Sequence, residues 1–122
     1  MEIIYSSIKD IEGLYKSLAD ESRLKILFML TEMGEACVRD IQQVLGVPQP
    51  TVSRHLGYLK RMGLVDNHRK GKWNYYFILK QQPEVVKHHI ALLRNVQAYR
   101  SIFFHDMQSQ LSKLMPRAKA KR

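Results

Sequence analysis

The chain has 122 residues, 45% of them hydrophobic, one cysteine and a formal net charge of +9. This length suits one domain with a modest core and excludes two ordinary ones; the hydrophobic fraction argues against wholesale disorder. The lone Cys37 excludes an internal disulfide framework and fits a reducing compartment, so a cytoplasmic location is expected. The first ten residues, MEIIYSSIKD, lack the apolar segment of a secretion signal. The longest unbroken apolar run, Ile26 to Leu30, is far shorter than the roughly 20 residues needed to cross a bilayer.

Residues 5–19 place Ile8, Ile11, Leu14, Tyr15 and Leu18 at helical spacing. Asp20 follows as an N-cap, with Glu21 in the first turn of a second helix that carries Leu24, Ile26, Leu27 and Phe28 and stops at Gly34. A short helix is expected over residues 36–46, with Val38, Ile41, Val44 and Leu45 on one side and Gly46 as its end. Pro48 and Pro50 then fall where a helix tolerates proline, in the first turn. Val52, Leu56, Leu59 and Met62 form the buried stripe of this fourth helix, and Gly63 closes it.

From Leu64 the periodicity changes. Two β-prone runs, the second from Trp73 to Leu79, flank the tetrapeptide Arg69-Lys70-Gly71-Lys72, which predicts a hairpin whose loop holds three cations and no acid. A last helix is expected from about Pro83, with Val86, Ile90, Leu93 and Val96 on one face and Met107, Leu111 and Leu114 continuing the stripe. About thirty residues of helix extend about 45 Å, more than one small core covers. Either the helix breaks near Tyr99–Asp106 or another chain covers the excess; the apolar face of residues 5–18 favours a second copy of this chain. Residues 1–115 are read as one domain, and residues 116–122, PRAKAKR, as a basic disordered tail.

Charge is unevenly spread: −3 over residues 1–47, +6 over 48–80 and +6 over 81–122. An acidic first part followed by a basic segment suggests a polyanion at a defined face. The pair of helices around Gly46 has helix-turn-helix dimensions. With the apolar stripe of the fourth helix set aside, Gln49, Thr51, Ser53, Arg54, His55, Tyr58 and Lys60 are left to solvent, and these side chains donate to base edges and phosphates. Such a helix fits the major groove, and Arg69, Lys70 and Lys72 on the hairpin reach the backbone or the adjacent minor groove. The expected fold is therefore mainly α with a small β-hairpin wing, in the order α1-α2-α3-α4-β-β-α5: a winged helix-turn-helix. Trp73, Tyr75 and Tyr76 read as wing packing, whereas Arg23 has two readings, a pair with Asp20 or a phosphate contact.

Three stretches resemble the ArsR/SmtB family of small metalloregulatory repressors: LADESRLKIL at 18–27, ACVRDIQQVLGVPQPTVSRHLGYLKRMGLV at 36–65 and GKWNYYFIL at 71–79. The resemblance implies a homodimer joined through the first and last helices, and repression by binding double-stranded operator DNA at an inverted repeat. It assigns Gln49, Thr51, Ser53, Arg54 and His55 to the recognition helix and Arg69, Lys70 and Lys72 to the wing, leaving Tyr58, Lys60 and Arg61 as phosphate neighbours or solvated side chains.

The resemblance further implies release from DNA by an effector, a metal or metalloid in many members. The arsenic-sensing branch carries Cys-Val-Cys where this chain has Cys37-Val38-Arg39, so the multi-thiolate shell a thiophilic ion needs is incomplete within one subunit. Cys37 is either a remnant ligand beside the Arg39 cation or a small apolar residue. The zinc-sensing branch carries Asp-x-His where this chain has Gln81-Gln82-Pro83. Of the nearby His88, His89 and His105-Asp106, only His88 shares a helix face with an acid, Glu84, at a spacing of four. The alternative function is an effector-independent winged-helix nucleic-acid-binding or architectural module. An enzyme is not expected: Cys37 with a histidine would make a nucleophile pair, but no orienting third group or oxyanion-hole loop is readable.

Overall fold

A computed structural model describes residues 7–82 and 84–95. Among the described residues five helices and three strands follow in the order α1 (Ile8–Leu18), α2 (Glu21–Met33), β1 (Ala36–Cys37), α3 (Val38–Leu45), α4 (Gln49–Arg61), β2 (Val65–Lys70), β3 (Trp73–Ile78) and α5 (Glu84–Asn95). Among the described residues no helix is long and apolar enough to cross a membrane.

Local chemistry sets the helix ends. The Ser7 hydroxyl accepts a hydrogen bond from the Asp10 amide at 3.1 Å and starts α1. The Asp20 carboxylate accepts from the Arg23 amide at 3.0 Å and starts α2, satisfying an amide the helix leaves orphaned. Pro48 caps α4 and Pro50 lies in its first turn, where a missing N–H costs nothing. The turn between α3 and α4 depends on Gly46, whose φ of 69° is in the left-handed region that side chains with a Cβ avoid.

The core lies around α2, which packs against the other four helices and against β1 and β3. Ile26, Leu27, Phe28, Met29 and Leu30 are all at most 1% exposed, so this helix is buried almost all round. Val52, Leu56 and Leu59 of α4, each 0% exposed, insert against it as their spacing predicts, and Met62 packs half-buried at the end of the stripe. Ile41 anchors α3 in the same core, with Val38, Val44 and Leu45 packed at its margin.

The sheet differs from the expected hairpin in two ways. It has three strands in the order β1-β3-β2, all antiparallel, because Ala36 and Cys37 pair with Tyr76 and Tyr75 instead of opening α3. The hairpin loop is also shorter than the expected tetrapeptide. Arg69 pairs with Asn74 and Lys70 with Trp73, so only Gly71 and Lys72 form the turn, with Gly71 at φ 63°.

α1 is shorter than the expected 5–19, and its apolar face is only half used: Leu14 and Leu18 are buried, whereas Ile8 is 84% and Tyr15 57% exposed. α5 buries Val86 and exposes Leu92. The expected continuation of the last helix through Met107, Leu111 and Leu114, the domain limit at 115, the tail 116–122 and the site residues His105 and Asp106 lie outside the described residues.

Candidate nucleic-acid interface

α4 buries its apolar stripe against α2, which leaves a polar flank on the opposite side. Gln49, Ser53 and Arg54 are exposed and Thr51 is half-buried. The Gln49 side-chain amide donates to the Ser53 hydroxyl at 3.0 Å, one turn along the helix. The wing tip stands across from this first turn. Between them lies an open cleft of about 370 Å³, lined by Gln49 and Ser53 of α4, by Arg39 and Gln42 of α3 and by Lys72, Trp73 and Asn74 of the wing.

The structure divides the expected contact residues in two. Among the described residues, Arg54, Arg69 and Lys72 form no ion pair, and all three are exposed. Lys60 and Lys70 instead have partners within the chain. Lys60 donates to the Asn67 side-chain carbonyl at 2.6 Å and lies 3.7 Å from Asp66, tying α4 to β2. Lys70 is held by Glu35, which also faces the His68 imidazole at 3.6 Å. The expected acid-free wing therefore has an acid, supplied from the loop after α2.

His55 and Tyr58 also turn inward from the places the helix pattern assigns them. The His55 side chain is 12% exposed, with Nδ1 at 3.8 Å from the Asp20 carboxylate and 3.5 Å from the Arg23 guanidinium. Burial, the largest influence, lowers its pKa from 6.5; Asp20 opposes this, and Arg23 and Arg54 reinforce it. Tyr58 is half-buried under the Arg23 guanidinium, 4.4 Å from the ring centroid, with Arg61 at 5.8 Å.

Among the described residues the Arg23 side chain forms no ion pair with Asp20. Its amide, not its side chain, meets Asp20. Its guanidinium donates to the carbonyls of Ser17 at 3.0 Å and Lys16 at 2.8 Å, capping the C-terminal end of α1. Asp20, Arg23, His55 and Tyr58 thus form one joint between the α1–α2 corner and α4. No sequence motif announces this joint, because its halves lie 32 residues apart.

Among the described residues, the metal-site candidates do not assemble. Cys37 is 1% exposed, at the junction of β1 and α3. Among the described residues no three His, Cys, Asp or Glu side chains come together as a ligand set. A single buried thiol does not fit the several thiolates a thiophilic ion requires. His88 and Glu84 are both exposed on α5, and Glu84 faces Lys87 at 3.6 Å. His89 is half-buried, and burial lowers its pKa.

Two helices joined at a left-handed glycine, the second with a polar flank and followed by a cationic two-residue hairpin, are the architecture of the winged helix-turn-helix regulators. Residues 20–67 match the family model described as bacterial regulatory protein, arsR family. The chain is 46% identical over 68 residues to the cadmium resistance transcriptional regulatory protein CadC of Listeria innocua, across 56% of this chain and 57% of that one. It is 48% identical over 63 residues to the arsenical resistance operon repressor of Escherichia coli, across 52% of this chain and 54% of the repressor. The alignments thus span just over half the length of these two relatives. Among solved structures, the homodimeric winged helix-turn-helix DNA-binding domain of Mb0332 from Mycobacterium bovis, a possible ArsR-family regulator, superposes with a TM-score of 0.59 at 32% identity, over 75% of this chain and 87% of that one. The chain belongs to the ArsR family of bacterial regulatory proteins, whose members are transcriptional regulators and not enzymes.

Proposed function

We propose that this chain is a sequence-specific transcriptional repressor that binds double-stranded operator DNA as a homodimer. The observation that carries the reading is the shared cleft: Gln49 and Ser53 of α4 and Lys72 of the wing line one open surface, so a helix flank able to read bases and a cationic finger address the same duplex. In this reading Gln49, Thr51 and Ser53 face base edges, while Arg54, Arg69 and Lys72, free of internal acids, neutralise phosphates. His55, Tyr58, Lys60 and Lys70 hold the recognition helix and wing in place. Pairing through α1 and α5 is supported by the exposed Ile8, Tyr15 and Leu92 on those two helices, together with the homodimeric Mb0332 domain.

Release by an effector is part of the proposed regulation. Cys37, the one cysteine of the chain, supplies no thiolate shell for a thiophilic ion within one subunit.

The test is binding of the full chain to the DNA upstream of its own gene, by gel shift over a range of salt. The expected result is nanomolar-range affinity for an inverted repeat with half-sites about one helical turn apart, falling steeply as salt rises. Equal affinity for every duplex would leave an architectural module in place of a repressor.

A further inference from the structure

We propose that the cleft between α3, α4 and the wing tip seats one backbone phosphate of the duplex, held jointly by Arg39 and Lys72 beside Trp73. The inference rests on the DNA-binding reading above and adds to it a residue, Arg39, outside both the recognition helix and the wing. Three observations carry it. The Arg39 guanidinium and the Lys72 ammonium both lie over the Trp73 ring, 5.6 Å and 5.3 Å from its centroid. Among the described residues neither is ion-paired, and both are exposed. The cleft they border contains no carboxylate; its other polar side chains include Gln42, Gln49 and Ser53, which all carry neutral hydrogen-bond donors.

Two cations drawn to one ring repel each other. The ring offsets part of this repulsion, and an anion placed between them relieves the rest while gaining two charge-assisted hydrogen bonds. A phosphate diester matches the charge and the number of acceptors. The cleft is open and polar, unlike the enclosed apolar pockets that hold small molecules, so a continuous strand can pass through it. Arg39 is on the first helix of the helix-turn-helix pair, the one that crosses the backbone in such complexes. Trp73 acts as a spacer: it sets the distance between the two cations without touching a base. This contact reads no sequence; it sets how deeply α4 sits in the groove.

The experiment compares the full chain with Arg39→Gln, Lys72→Gln and the double variant, on an inverted-repeat operator and on a scrambled duplex, across a salt series. Because the shared phosphate is held only when both cations are present, each single change is expected to weaken binding to both duplexes about tenfold at low salt and to flatten the log–log salt dependence by about one unit, with no further flattening in the double variant. Because the two cations share one phosphate, the double variant is expected to weaken binding by less than the product of the two single effects. Trp73 is the only tryptophan in the chain, so its emission should shift when duplex is added to the unmodified protein. The inference is overturned by an unchanged salt slope in Arg39→Gln, by independent effects in the double variant, or by Trp73 emission that ignores saturating duplex. If the unmodified chain binds no duplex, the DNA-binding reading fails with it. If it binds with steep salt dependence and Arg39→Gln behaves identically, this inference alone fails. Matching thermal melts of the variants exclude misfolding as the cause of weakened binding, and the emission measurement needs no variant.

Discussion

The Lys70 ammonium donates a 2.9 Å hydrogen bond to the carboxylate of Glu35, a residue 35 positions earlier in the chain. This contact ties the wing to the loop after α2 and gives one of its three cations an internal partner. Glu35 is mostly buried, at 20% side-chain exposure, but Lys70 is 38% exposed, so solvent screens the pair and its energy is below about 1 kcal/mol. Its importance is geometric. Lys70→Ala is expected to leave the salt slope of DNA binding nearly unchanged, whereas Lys72→Ala lowers it by about one unit. Equal slopes for the two variants, measured by fluorescence anisotropy against salt, would place Lys70 on the phosphates after all.

Arg23 is expected to contribute more to stability than any other exposed or half-exposed cation. It caps two carbonyls at the end of α1, touches His55 and covers the Tyr58 ring. Arg23→Ala should destabilise the fold by about 1–3 kcal/mol, because the Ser17 carbonyl is left without its donor, the Lys16 carbonyl keeps only the Ala19 amide at 3.3 Å, and the Tyr58 ring loses its cation. Arg23→Lys should recover only part of this, since one ammonium cannot serve two carbonyls and lie flat on a ring. Urea unfolding of the three proteins decides the matter; full recovery by lysine would show that charge alone suffices.

The two flanks of α4 should separate stability from recognition. Leu56, 0% exposed beneath α2, is expected to cost about 2–5 kcal/mol as Leu56→Ala. The exposed Ser53 should change stability by less than about 0.5 kcal/mol as Ser53→Ala while altering preference among operator variants. Chemical denaturation paired with competitive gel shifts measures both. A Ser53→Ala protein with unaltered base preference would remove this residue from readout.

Two histidines predict how stability responds to acid. His55 and His89 both have pKa values lowered from 6.5, in each case first by burial. Folding therefore favours their neutral forms. The stability this represents is complete above about pH 6.5, the unfolded value, and is lost as pH falls through the lower folded values. Urea midpoints should hold steady above neutrality and decline on acidification below pH 6.5. The decline should be shallower in His55→Gln, which has no imidazole to charge. An identical decline in that variant would show that protonation of His55 is not linked to unfolding.

Much of the framework was legible in the sequence for local reasons. The 3.6-residue period of Val52, Leu56 and Leu59 marks α4 and its buried side, the Asp20 cap and Gly34 bound α2, and Gly46 with Pro48 marks the turn, because each signal is written within one or two helical turns. The polar flank of α4 follows by subtraction once the buried stripe is known. Family likeness, carried by short contiguous stretches, was readable for the same reason.

What only the tertiary structure decided is which polar side chains find partners within the chain. Lys60, Lys70, His55 and Tyr58 look as available in the sequence as Arg54, Arg69 and Lys72, because a helical or strand pattern says which face a residue occupies, not what stands opposite it. The partners come from remote positions: Glu35 for Lys70, and Arg23 with Asp20 for His55. The two-residue β1 has no periodicity of its own to read and exists because β3 offers it an edge. Arg39 becomes a candidate phosphate ligand only when folding brings α3 against the wing tip. Pairing between distant segments has no local signature, and those pairings determine which side chains stay exposed without an internal partner.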